Sequence, residues 1–410
     1  MLLLQGPMGP FFSRLRHDLE AAGATVSKVN FNGGDLFFYP RGGIAFRGGL
    51  GEWPAFFEKV VRERKINTVM LFGDCRLHHR EAIRIARQEG IEVEVFEEGY
   101  LRPDYLTLER GGVNGYSSLP RDPAFYRALP ASSPRAVARV GGIFWHGFLW
   151  AVLYFFGDLV LGWKFPGSYH HRSLSPREGF YWLRAFARKG WHSLRERRTR
   201  KRLEGALAKR SFLVPLQVYN DAQITTHSGF PSVEAFIETV MRSFAGHAPD
   251  GTVVVFKHHP LDRGYRDYRE LIGRLAVELG ISQRTFYVHD LHLPTMLKEC
   301  RGVVVINSTV GMSALHHGSP LIACGRAIYD LDGLTFQGGL DAFWRGARRP
   351  DARLWHAMRQ FLVGKTQIHG SFYRSLAGVP YYSGVDWSVR ESHFFDESRE
   401  VARPRVFVAS

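Results

Sequence analysis

The chain is poor in cysteine, with only Cys75, Cys300 and Cys324 in 410 residues. Three scattered thiols build neither a disulfide framework nor a zinc set, and they suit a reduced compartment. The start, Met1-Leu2-Leu3-Leu4-Gln5-Gly6, has no basic leader, and its apolar run is too short for a signal peptide. It reads as a strand entering a glycine turn. No repeat of fixed period and no low-complexity tract is present. Acidic residues are scarce, 39 Asp/Glu against 54 Lys/Arg, for a net charge of +15. The shortage is local: residues 131–210 hold 16 Lys/Arg and 4 Asp/Glu. A basicity so confined points to a surface for an anionic partner.

What is present is a globular composition, 45% apolar, and enough length for two domains. Residues 1–130 alternate apolar strands (Leu2–Leu4, Thr25–Val29, Thr68–Phe72, Val93–Phe96) with amphipathic helices (Phe11–Ala22, Pro54–Arg64, Arg80–Glu89). The rhythm returns at 211–365, with strands at Phe212–Leu216, Thr252–Phe256, Thr285–Val288, Val303–Ile306 and Leu321–Ala323. Helices are expected there at Val233–Phe244, Tyr265–Leu279 and Val310–His317. This alternation predicts an α/β fold of two Rossmann-like lobes with a cleft between them. Residues 366–410 form an aromatic and glycine-rich tail, read as returning to the N-terminal lobe. Between the lobes, 131–210 breaks the pattern. Gly141–Trp163 carries one charge, Asp158, and seven Phe or Trp, and a tract dense in arginine follows at 184–202. About 20 apolar residues would reach across a bilayer. A span would separate lobes that are expected to share one site, so an interfacial element on anionic lipid is the expectation. A buried linking hairpin is the alternative. No recognised nucleic-acid motif accompanies the basic tract, so no nucleic-acid partner is expected.

The chemistry-bearing residues sit where strands end, the ligand-binding edge of open α/β sheets. Gln5-Gly6-Pro7-Met8-Gly9-Pro10 lets backbone approach a ligand, but it lacks the third glycine of a dinucleotide fingerprint. Asn30 and Asn32 follow the second strand and suit hydroxyl recognition, and Asp74 and Arg76 close the third. Glu97 and Glu98 close the fourth strand, and alternation sends them to opposite faces, so one is a candidate base. Asp221, after Gln217, reads as a nucleophile or stabiliser, or else as a helix cap. Lys257-His258-His259-Pro260 puts cations after a buried strand. The turn has no H-x-x-H spacing of its own, so an anion is expected there rather than a metal. Asn307-Ser308-Thr309-Val310-Gly311 offers hydroxyls and amides at a helix start. The plain alternatives are ordinary turns or loops at the glycine-rich segments, pairing with Arg102 or helix capping for Glu97 and Glu98, an Asx turn or cap at Asp221, solvated polar residues at 257–260, and capping alone at Ser308 and Thr309.

In order, QGPMGPFF, KVNFNGGD, LFGDCRLHH, VFEEGYLRPDYLTLERGGVNG, PLQVYNDAQI, KHHP and INSTVGMSALHHG resemble the capsular polysaccharide export and biosynthesis proteins of the KpsS type. The resemblance runs over nearly the whole chain and is weakest at 131–210. It implies a GT-B-like β-Kdo transferase using CMP-β-Kdo and a lysophosphatidylglycerol acceptor. In the wider group an acidic-acidic-Gly motif supplies a base, an HP motif contacts donor phosphate, and a Ser/Thr pair binds the phosphate of CMP. These carry over to Glu97-Glu98-Gly99, His259-Pro260 and Ser308-Thr309. Asp221 is the best match to the aspartate of related retaining Kdo transferases. Ser313 stands where a ribose-binding Glu is frequent.

The resulting expectation is a retaining, CMP-Kdo-dependent transferase, cytoplasmic and peripheral on the inner face of the membrane. Asp221, Glu98 and Glu97 would be catalytic. Lys257, His259, Pro260, Asn307, Ser308, Thr309 and Gly311 would bind the donor. Gln5, Gly6, Gly9, Asn30, Asn32, Asp74 and Arg76 would bind the acceptor. No metal or cofactor is expected. A second Kdo transferase and the capsule export complex are further expected partners. A different sugar nucleotide, or a non-catalytic export scaffold, are the competing readings.

Overall fold

The computed structural model describes residues 1–130, 137–167 and 177–387. They divide into two α/β units: one from 1–118, 137–167 and 359–387, the other from 119–130 and 177–358. The strands are β1 (Leu2–Leu3), β2 (Ser27–Asn30), β3 (Gly43–Ala45), β4 (Thr68–Phe72), β5 (Glu92–Glu98), β6 (Tyr105–Arg110), β7 (Ser211–Pro215), β8 (Val253–Lys257), β9 (Thr285–Val288), β10 (Gly302–Val305), β11 (Leu321–Ala323) and β12 (Gln367–His369).

The first unit holds a seven-stranded sheet of order β12-β6-β5-β4-β1-β2-β3. β1 to β5 are parallel, β6 runs against β5, and β12 runs against β6. Alternation along the strands feeds two cores. Leu2, Leu4, Val69, Leu71, Val93 and Val95 pack with the helices Trp53–Glu63 and Leu77–Gln88. Leu3, Met70 and Phe96 face the other way, onto the helix Phe11–Ala21 and onto Phe372 and Trp387. The second unit is a fully parallel sheet of order β11-β10-β7-β8-β9. Its central strands are buried on both faces, which is why they read as unbroken apolar runs. The two lobes expected from the βα rhythm are therefore present.

The described residues within 131–210 do not form a separate insert. The described part up to 167 belongs to the first unit, and that from 177 to the second. Packing rather than composition makes the division. The helix Phe144–Leu161 presses onto the helix Gly33–Phe38 through glycines. A Cβ on Gly33 would stand 2.6 Å from the Gly162 backbone nitrogen, and one on Gly34 would stand 2.6 Å from the Tyr154 ring. A Cβ on Gly157 would lie 2.4 Å from that of Phe37. Such contact excludes any larger side chain at these three positions. Of the helix's most apolar window only 11% is buried, and Trp145, Phe156, Leu159 and Trp163 stand in solvent. By length and composition it is the one described helix able to cross a membrane.

Candidate functional site

In the first unit the carboxyl ends of β1, β2, β4 and β5 gather a hydrogen-bonded network. Arg76 donates to Gln5 Oε1 at 2.8 Å and to the Gly6 carbonyl at 3.4 Å. Gln5 Nε2 donates to Tyr154 Oη at 3.3 Å. The Tyr154 hydroxyl reaches Asn32 Oδ1 and Asp35 Oδ1, each at 2.9 Å. Asn32 caps the helix Gly33–Phe38 by accepting from Asp35 N. Asn30 is buried and donates to the Tyr39 carbonyl at 3.0 Å. Gly9, at φ +127°, gives the Trp150 side chain room at 3.1 Å from a would-be Cβ. Asp74 is buried, accepting from Val113 N at 2.8 Å and from Cys75 Sγ at 3.2 Å, and burial raises its pKa.

The two glutamates part company. Glu98 accepts from the Tyr373 hydroxyl at 2.7 Å and lines a cavity of about 100 Å³ with Arg102, Tyr105 and Ser371. Glu97 turns to the opposite face, where its Oε2 lies 3.7 Å from the Cβ position of Gly73. Its Oε1 accepts from the Glu98 amide at 2.9 Å. Burial lifts its pKa to about 7, with the charges of Glu98 and Asp74 adding to the effect. A carboxylate poised there can take a proton from a hydroxyl at neutral pH. Gly99 is indispensable to this strand end, because a Cβ there would sit 1.9 Å from the Tyr105 carbonyl oxygen.

In the second unit three adjacent strands, β10, β7 and β8, present their carboxyl ends together. At about 4.8 Å per strand the outer two ends stand roughly 10 Å apart. Gln217, after β7, bridges its neighbours: its Nε2 donates to Asp221 Oδ2 at 3.0 Å and to Asn307 Oδ1 at 3.1 Å. Asn307 in turn donates to the Gln223 carbonyl at 3.0 Å. Asp221 is the N-cap of the helix Ala222–His227, its Oδ1 accepting from Gln223 N at 2.9 Å, so both its oxygens are engaged. Ser308 Oγ accepts from Val310 N at 3.2 Å, and Thr309 precedes the short helix Val310–His316. The Tyr329 hydroxyl donates to the Ser308 carbonyl at 2.6 Å. Gly311 makes that contact possible, since a Cβ there would lie 2.3 Å from the Tyr329 ring and hydroxyl.

After β8, His259 Nδ1 accepts from Leu261 N at 3.2 Å, and Pro260 opens a short 3-10 turn, Pro260–Asp262. His258 lies buried, its Nδ1 within 2.6 Å of the Tyr287 hydroxyl, and burial pulls its pKa to about 3, so it stays neutral. The Lys257 ammonium makes no hydrogen bond or ion pair among the described residues, although its backbone carbonyl accepts from Leu216 N at 2.9 Å. Burial and the neighbouring Arg263 bring its pKa down to about 8. Arg263 donates one Nη to the His289 carbonyl at 2.9 Å, while its Nε is buried and unpartnered. Arg263 also pairs with Asp290 Oδ1 at 4.0 Å, which leaves the Lys257 ammonium and the Arg263 Nε as the donors an anion could engage at this turn. A cation is a different matter. His192, Glu196 and His289 lie close enough to suggest metal ligands. As arranged, however, the two imidazoles stack 3.7 Å apart at 11°, and no ion can lie in both ring planes.

A family model described as capsule polysaccharide biosynthesis protein matches residues 67–373. The chain is also 44% identical to the capsule polysaccharide export protein KpsS of Escherichia coli, over 91% of this chain and 96% of that one. The chain belongs to the capsule polysaccharide biosynthesis protein family. This capsule protein is 40% identical to the capsule polysaccharide modification protein LipB of Neisseria meningitidis serogroup B, over 91% of each chain. Among solved structures, the β-Kdo 2,7 transferase of Thermosulfurimonas dismutans KpsC aligns with 84% of this chain and 91% of its own. That alignment has 16% identity and a TM-score of 0.41.

Sequence reasoning about this capsule protein missed three side chains that adjoin the candidate residues. Tyr154 was hidden in an apolar run assigned to the membrane, where the glycines Gly33, Gly34 and Gly157 were the available sign of close helix packing. Tyr373 lay in the unassigned tail. Arg263 stood just past the His-Pro turn, one arginine among many.

Proposed function

We propose that this protein is a glycosyltransferase that moves β-Kdo from CMP-β-Kdo to a lysophosphatidylglycerol acceptor, with retention. The observation that carries the reading is the Lys257 ammonium and the unused Nε of Arg263 beside the His259-Pro260 turn, two strands from Ser308. A single phosphate, which gains charge as CMP departs, fits that surplus of donors. Ser308, Thr309 and the Asn307–Gln217 pair would frame the nucleotide. Asp221, its two oxygens already hydrogen-bonded, serves better as a fixed negative charge near the developing oxocarbenium ion than as a nucleophile. Glu97, rather than Glu98, would deprotonate the acceptor hydroxyl. Arg76, Gln5 and Asn32 would orient that acceptor, with Asn30 and Asp74 holding the loops beneath. The exposed apolar side of Phe144–Leu161 supports attachment to an anionic membrane, where a lipid acceptor is presented.

Ligand-induced stabilisation tests the donor. CMP at about 100 times its Kd should add roughly 2.7 kcal/mol to the folded state and raise Tm by several degrees. UDP should raise it little. A UDP shift equal to that of CMP would point to another sugar nucleotide, and no shift with either would favour the scaffold reading.

A further inference from the structure

The arginine-rich helix Arg177–Arg195 uses one side against the second unit's anion turn. A Cβ on Gly264 would lie 2.2 Å from the Tyr181 carbonyl oxygen, so the helix backbone touches the loop directly after Arg263. Arg188 donates to the Arg263 carbonyl at 2.8 Å. One residue past the helix, Glu196 accepts from the backbone amides of His289 and Asp290 at 2.8 and 3.0 Å, and its Oε1 lies 2.9 Å from His289 Nδ1. The His289 ring packs on His258 and Tyr287, each at 4.7 Å, and its carbonyl accepts from Arg263. A line of contacts thus runs from Glu196 through His289 to Arg263, and through the packed His289 and His258 rings to the chain neighbour of Lys257.

We infer that Glu196 is a positioning residue for donor-phosphate binding, fixing the loop after β9 so that Arg263 and Lys257 are held ready for the anion. The inference rests on the reading of that turn as the donor site. Such a carboxylate does two separable things. Its hydrogen bonds set the loop, and its negative charge favours the protonated form of Lys257. The charged and titratable groups around this pair are Arg263, His258 and His259 from the loop after β8, His289 and Asp290 from the end of β9, and His192 and Arg200 from the basic segment. Asp290 acts on Lys257 in the same sense as Glu196, and Arg263 in the opposite sense.

Calorimetric titration of the full chain with CMP from pH 6 to 9 tests the inference. Glu196→Gln should weaken CMP about tenfold at pH 7. It should also move the loss of affinity at alkaline pH to lower pH, because Lys257 then sheds its proton more easily. Glu196→Asp keeps the charge and should weaken CMP while leaving the pH midpoint near that of wild type. In the Lys257→Met background the pH effect of Glu196→Gln should vanish. A merely structural tie would lower Tm without moving the midpoint, and that result overturns the inference. Unchanged affinity in either Glu196 variant overturns it alone. No CMP binding by the wild type removes the donor reading and this inference together.

Discussion

Glu97→Gln should cut transfer by about 10²–10⁴-fold while CMP binds as before. The amide keeps the shape of the side chain and loses its basicity. Glu98→Gln, on the other face and held by Tyr373, should cost far less. The wild-type rate should fall as pH drops through about 7, where Glu97 takes up its proton. Stability gives an independent check, because burial raises the folded pKa of Glu97 above its unfolded value. The neutral form therefore stabilises the fold fully below the unfolded carboxylate pKa, and that benefit is lost as pH rises through about 7. At pH 8 Glu97→Gln should be more stable than wild type, on the order of 1–3 kcal/mol. A dead and stabilised variant is the mark of a base kept in a costly setting. A variant that is active, or unstable as well as inactive, would assign Glu97 to the scaffold.

Lys257→Met should weaken CMP by roughly 10–150-fold, the worth of about 1.5–3 kcal/mol for a hydrogen bond to a charged group. Methionine retains the apolar stem that fills the loop, so the fold should survive. The pH dependence has a definite sign. Lys257 is protonated below about 8, so wild-type affinity should be level up to that point and fall above it. Lys257→Met should have a flat profile over this range. Arg263→Met should weaken CMP comparably, and the double variant should lose measurable binding. Affinity unchanged in Lys257→Met would remove the anion from this turn.

The buried parallel strands were legible because both their faces are covered, which writes runs such as Thr252–Phe256 into the chain. Shorter or half-open elements were not. β3 spans three residues and begins on glycine, β6 alternates apolar and polar residues through Tyr105–Arg110, and the helix Gly33–Phe38 opens on two residues that disfavour helices. That helix forms because Asn32 caps it and Phe144–Leu161 packs over it, both beyond the reach of local pattern. At the candidate sites, residue type and position after a strand singled out Glu97, Lys257, His259 and Asn307, whose settings the fold then defines. Which carboxylate would be the costly one was not readable, since it depends on which face holds Asp74. Asp221 carried the signature of both a cap and a catalytic group, and only its bonds to Gln223 and Gln217 define its setting. The basic tract could be read as charge. That Glu196 and Arg188 dock it on the loops after β8 and β9 is a tertiary fact.

Central to this account is transfer of a sugar acid from a cytidine nucleotide to a lipid. Incubating the purified full-length chain with CMP-β-Kdo and lysophosphatidylglycerol, followed by mass spectrometry, tests it most directly. One Kdo added to the lipid for each CMP released, and no such product from Glu97→Gln, is the predicted result. Folded protein that binds CMP yet leaves both substrates unchanged would contradict it.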